Sequence, residues 1–145
     1  DGNAMTKVAY GYRCVVFKYA VPLGTSGAKS INVNAGSTVQ MSGLSTTFKN
    51  AIVSSSVVNP AYSANDGGSH TATATATASG MLCYAIGQAY GSTQPSATNF
   101  TMRGWRNDYN TSVGVGTQPG SGSAITMSCS TGQWGSSIAV VLAPS

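Results

Sequence analysis

The 145 residues are the ordinary length of one domain, and 41% of them are hydrophobic, enough for a packed core. Charged residues make up only 7%, against about 25% in an average soluble protein, and the only acids are Asp1, Asp66 and Asp108. The net charge of +4 therefore reflects missing acids, and Lys7, Arg13, Lys18, Lys29, Lys49, Arg103 and Arg106 are too scattered to form a nucleic-acid-binding stripe.

Helical periodicity is almost absent, and extended segments dominate. Ala4 to Ala9 reads as a short strand, followed by a turn at Gly11 and a second strand from Arg13 to Ala20. Pro22 to Gly27 reads as a loop. Three further strands are predicted at Lys29–Val33, Thr38–Met41 and Leu44–Lys49, with a turn at Asn34-Ala-Gly36. Ala51 to Gly68 carries Pro60 and the turn signal Asn65-Asp66-Gly67-Gly68, and reads as the longest irregular stretch.

The tract His70 to Ser79, HTATATATAS, alternates two small residues without exception. Alternation is the period of an extended chain, because successive Cβ atoms point to opposite faces of a sheet. Ala72, Ala74, Ala76 and Ala78 are expected to point inward, and Thr71, Thr73, Thr75 and Thr77 outward. Alanine buries little surface, so this strand needs large side chains opposite it. The strand Met81–Tyr90, entered through a tight turn at Ser79-Gly80, is expected to lie beside it as a hairpin partner. Arg13–Ala20 is expected in the facing sheet. The threonine row forms a flat, wettable face with little side-chain entropy to lose, suited to solvent or to subunit packing.

Gly91–Thr98 reads as a loop, Phe100–Trp105 as a strand, Thr117–Ser123 as a loop, and Ala124–Ser130 and Ser137–Ala143 as the last strands. Eight or nine short strands at this spacing predict a single all-β domain over residues 1–145, an antiparallel β-sandwich or barrel.

Titratable groups are sparse. His70 follows Ser69, and a Ser/His or Cys83/His70 nucleophilic pair would need an orienting acid, with Asp66 the nearby candidate. The plainer expectation is an exposed histidine at a loop edge. Asp66 and Asp108 are the carboxylates a glycosidase could use, but both sit in turn-like sequences. Cys14, Cys83 and Cys129 lack metal-type spacing and read as small core residues, with one disulfide left open. No catalytic residues, metal ligands or cofactor are assigned. No run reaches the roughly 18 apolar residues of a membrane span, and no signal-peptide pattern is present. Asn99-Phe-Thr101 and Asn110-Thr-Ser112 fit the N-glycosylation pattern.

One segment combines side chains suited to surface recognition: Arg103, Trp105, Arg106, Asn107, Asp108 and Tyr109. Aromatics beside amide, carboxylate and guanidinium groups can stack on a sugar ring and hydrogen-bond its hydroxyls. The competing reading puts Trp105 in the core at a strand end, with the polar residues in the following turn.

The opening Asp1-Gly-Asn-Ala-Met-Thr6, the strand Cys14–Ala20 leading to a proline, and the closing Trp134-Gly-Ser-Ser-Ile-Ala-Val-Val-Leu-Ala-Pro144 follow one another in a recognisable order. This order resembles a β-sandwich domain of tailed-phage virion proteins and some bacterial surface proteins. The resemblance implies a jelly-roll-like sandwich with a structural or host-surface role. In that pattern an apolar strand precedes the first motif. If Asp1 is the natural start, a neighbouring subunit is expected to supply that strand; the ordinary alternative is residues upstream of Asp1.

The expected function is a structural subunit of a multi-copy virion assembly (capsid decoration, tail or fibre), located in the virion or outside the cell. Its expected partners are copies of itself and other structural subunits. A glycan-binding module or adhesin using Arg103–Tyr109, with a cell-surface glycan as partner, is the main alternative, and a cell-surface filament subunit a third.

Overall fold

The computed structural model describes residues 4–11, 13–20, 30–59, 69–89, 94–108, 110–130 and 134–145. No helix occurs among them, and ten antiparallel strands form three sheets. The strands are β1 (Thr6–Tyr10), β2 (Val15–Lys18), β3 (Ala51–Asn59), β4 (Ser69–Thr75), β5 (Met81–Ala89), β6 (Ser96–Thr98), β7 (Thr101–Asp108), β8 (Thr111–Pro119), β9 (Ala124–Ser130) and β10 (Gly135–Pro144). The central sheet has the order β3-β10-β5-β8-β7, a second sheet the order β4-β9-β6, and β1 pairs with β2 in a third.

The central sheet is covered on both faces, which explains its sequences. β5 and β10 are almost continuous apolar or small runs, as expected of strands with no solvent side. Leu82, Tyr84, Ile86, Ala139 and Val141 point to one face and pack with Ala72, Ala74, Ala76, Met127 and Cys129 of the second sheet, under Phe100. Cys83, Ile138, Val140 and Leu142 point to the other face and pack with Ala9, Cys14, Val8, Val16 and Phe48. The small sheet β1-β2 and the segment around Phe48 therefore form a partial third layer.

The alanine tract finds its large partners across the core. Its sheet neighbour is β9, paired in register from Ser69↔Ser130 to Thr75↔Ala124, and β5 lies in the opposite sheet. The turn at Ser79-Gly80 thus switches sheets and does not close a hairpin. Arg13–Ala20 contributes only Val15–Lys18 as a strand, in the two-stranded sheet. Ala72, Ala74 and Ala76 are buried, but Ala78 is exposed, because the chain turns where the Gly80 amide donates to the Thr77 carbonyl at 2.8 Å. The 120–122 loop covers Ala76: the Gly122 amide donates to the Ala76 carbonyl at 2.9 Å.

Other expectations are corrected. Residues 30–49 contain no strand, although three were predicted there; residue 29 lies outside the described residues. The supposedly irregular stretch begins with the nine-residue strand β3, while residues 60–68 lie outside. β6 and β8 fall where loops or no element were expected.

Candidate functional site

Three places carry the residues singled out by the sequence. The first is the outer face of the second sheet. Register places Ser69, Ser130 and Ser96 in one row, Thr71, Ser128 and Thr98 in the next, and Thr73 beside Thr126 in a third. Neighbours are roughly 4.8 Å apart across strands and 6.8 Å along them. Thr73 and Thr126 join their hydroxyls at 2.8 Å, which fixes both rotamers. Thr75 is exposed on the same face, Thr71 is half-buried, and Thr77 lies past the strand end with its hydroxyl 3.3 Å from that of Ser79. Asn99, at φ 61°, donates its amide to the Thr126 carbonyl at 2.9 Å and so holds the β6–β7 turn against β9. The face formed by β4, β9 and β6 carries hydroxyls, one alanine (Ala124) and no charge.

The second place is β7. Its pairing puts Trp105 opposite Gly114 and Asn107 opposite Ser112 on one face, and Arg106 opposite Val113 and Asp108 opposite Thr111 on the other. Trp105 is half-buried and packs on the core, its ring lying where a side chain on Gly114 would be: a Cβ there would sit 3.0 Å from Cε3. Arg103 falls at the register shift between Met102 and Gly104 and donates from Nε to the Thr117 hydroxyl at 2.7 Å.

Arg106 binds Asp108 with two hydrogen bonds, Nε to Oδ2 at 2.7 Å and Nη2 to Oδ1 at 3.0 Å. The guanidinium, then the Ser42 hydroxyl donating to Oδ2 at 2.9 Å, hold the Asp108 carboxyl below its usual range. Asn107 accepts from the Ser112 hydroxyl at 2.9 Å. A shallow hollow lined by Gln40, Met41, Asn107, Asp108 and Thr111 lies beside this pair. The five described contact residues are thus divided between two faces, and Tyr109 lies outside the described residues. Gln40, Met41 and Ser42 come to the site from a distant segment, and nothing local in the sequence signals this.

The third place is the core around His70. The histidine is 2% exposed, not the loop-edge residue expected, because alternation places it on the same inward face as Ala72. Its carbonyl accepts the Tyr84 hydroxyl at 2.6 Å. Its cross-strand neighbour is Cys129, whereas Cys83 belongs to the cluster on the far face of the central sheet. Asp66 lies outside the described residues. The structure therefore does not bring His70 and Cys83 together.

All three cysteines are free and buried. Burial pushes the thiols up, Cys14 and Cys129 to about 12 and Cys83 to about 11, with Cys83 adding to the shift at Cys14. Each should resist a thiol reagent in the folded protein at pH 8 and react on unfolding. A thiol whose folded pKa is raised favours the folded state fully below its unfolded value and loses that contribution as pH rises through the folded one. The urea midpoint should accordingly fall between pH 9 and about 12; a flat midpoint across that window would contradict the burial argument.

Compared with known proteins, the chain matches no family model, no curated protein and no solved structure. No helix among the described residues is long and apolar enough to cross a membrane.

Proposed function

We propose that this protein is a structural subunit of a multi-copy assembly, a virion component of phage type (capsid decoration, tail or fibre) acting in the virion or outside the cell. The observation that carries the reading is the hydroxyl face of β4-β9-β6. Nine Ser and Thr positions in register form a flat surface of short side chains, with the Thr73–Thr126 pair already bonded. Such a surface loses little side-chain entropy on contact and places no charge that a partner must neutralise.

Strand order supports a jelly-roll-like sandwich. From β3 to β10 the chain changes sheet at every connection except β7–β8, and the last strand lies between β3 and β5. Two nested Greek keys give this kind of alternation, and jelly rolls of that kind serve viral capsids and lectins. The fold alone does not choose between those roles; the hydroxyl face favours packing.

Light scattering and negative-stain microscopy of the native protein test the reading. A multi-copy particle is expected, and the double variant Thr73→Lys/Thr126→Lys should lower its mass by setting like charges on the face. A monomer at all concentrations would overturn the assembly reading.

The hollow beside Asp108 favours glycan binding as a second reading, because Gln40, Asp108 and Thr111 bring an amide, a carboxylate and a hydroxyl to its lining. On that reading Gln40→Ala weakens or abolishes retention on a carbohydrate array at an unchanged melting temperature. Equal retention by the variant would dispose of it. Trp105→Ala is a poor probe, since its ring packs on the core and its loss lowers stability directly.

A further inference from the structure

Residues 30–41, Ser-Ile-Asn-Val-Asn-Ala-Gly-Ser-Thr-Val-Gln-Met, have a strand-like sequence and no strand. Ile31 and Val33 alternate with asparagines, and Val39 and Met41 flank a glutamine. A turn separates the two pieces, where Gly36 has φ 71° and its amide donates to the Asn34 side chain at 2.8 Å. All twelve residues are exposed, and among the described residues none is paired in a sheet. The segment is nevertheless anchored at its end. The Ser42 hydroxyl donates to Asp108 at 2.9 Å and lies 2.7 Å from the Thr111 hydroxyl, and Phe48 packs against the core cluster on the β1-β2 side of the central sheet. From Ser42 back to Ile31 the chain can reach roughly 36–40 Å when extended.

The same molecule presents a complementary edge. Among the described residues β3 pairs only with β10 and is the outer strand of the central sheet. It is nine residues long, roughly 30 Å, and carries no charge or proline. Edge strands are usually blunted by charge, brevity or bulges. Here β7 carries Arg103, Arg106 and Asp108, β1 and β2 carry Lys7 and Lys18, and β6 has three residues. β4 is also uncharged, but its outward side chains are threonines. On β3, Ile52 is 54% exposed and Val57 40%, so β-branched apolar side chains stand open beside a backbone edge that no described residue pairs.

We propose that residues 30–41 of one subunit add as a strand to the β3 edge of a second copy, a head-to-tail contact between identical chains. This rests on the assembly reading above and names its interface. Strand addition satisfies the free backbone groups of both elements, and Ile31 and Val33 supply the β-branched cross-strand partners that Ile52 and Val57 lack. The arm of one chain meets the edge of the next, so head-to-tail addition propagates into a ring or filament, whereas reciprocal exchange between two chains closes a dimer.

The test uses two full-length single-site variants, Val33→Cys on the arm and Val57→Cys on the edge, against a background of buried native thiols. Mixed and treated with a short bis-maleimide, the two should give at least tenfold more covalent dimer than either alone. In a second arm, Ile31→Lys/Val33→Lys should lower the particle mass while leaving the circular dichroism unchanged. A multi-copy particle whose mixed cross-linking does not exceed that of the single variants overturns the arm–edge contact and leaves the assembly reading standing. A monomeric wild type overturns both.

Discussion

Tyr84→Ala is expected to destabilise the protein by about 3–5 kcal/mol, the usual cost of removing a large aromatic from a core. Tyr84 is fully buried at the centre of the interface between the central and second sheets. Its ring stacks on Phe100 with centroids 4.7 Å apart, tilted by 34°. Phe100 in turn occupies the space above Gly116, where a Cβ would run into the ring. The alanines of β4 cannot fill the hole, because a residue of that size was chosen to lie beneath a large one. Tyr84→Phe separates the polar part of the effect. It keeps the ring but removes the hydroxyl that donates to the His70 carbonyl, a loss of about 0.5–1.5 kcal/mol, the net worth of a typical hydrogen bond. Urea denaturation of both variants measures the difference. Equal losses for Phe and Ala would mean that the hydroxyl, and not the packing, holds the two sheets together.

The sequence shows most clearly those strands whose pattern is simple. In the tract, the alternation predicts correctly that Ala72, Ala74 and Ala76 are buried. It says nothing of which strand pairs with it, since the choice of β9 depends on how the chain crosses between sheets. β3 was hidden by its own geometry. A register shift at Ser54 inserts one residue, so Ala51 and Val53 share the inward face with Ser56 and Val58, and the period of two breaks in the middle. The Ser54 hydroxyl donates to the Val141 carbonyl at 3.2 Å beside that bulge. β8 was hidden for another reason. Gly114 and Gly116 occupy its core face because Trp105 and Phe100 take the volume, so glycines that read as breakers are packing residues.

Residues 30–49 show the converse. Their sequence satisfies the rules for strands, yet a strand forms only where its backbone meets a sheet edge, and none of the described outer strands of this chain pairs with them. For the candidate sites, adjacency in sequence was a poor guide. Arg103 to Asp108 alternate faces along β7, while Ser42 reaches Asp108 from 66 positions away.

Gly87→Ala should loosen the β1-β2 layer and leave the other two sheets in place. Gly87 lies on the face of β5 that carries Cys83, and a Cβ there would collide with the Arg13 carbonyl and stand 3.1 Å from the Cys14 Cβ. The obstruction is backbone, so no rotamer change relieves it. Gly11, Arg13 and Cys14 sit at this point through a short network: the Gly11 amide donates to the Cys14 carbonyl at 2.7 Å, and the Arg13 amide to the Ser136 hydroxyl at 2.9 Å. Gly11 itself is close to Ser136, where a Cβ would lie 2.8 Å from the hydroxyl oxygen. Added volume at such a contact costs about 1–3 kcal/mol, and here the local response is to lift Gly11, Arg13 and Cys14 away from their neighbours on β5 and β10. The open population should rise roughly ten- to a hundredfold. Cys14 and Cys83, which share the cluster at that contact, should then react with a thiol reagent faster by the same factor. Cys129, buried between the central and second sheets, should keep its protection. Mass spectrometry of the labelled peptides reads the three sites separately. Parallel acceleration at Cys129 would show that the substitution loosens the whole fold, and that the β1-β2 layer is not an independently opening unit.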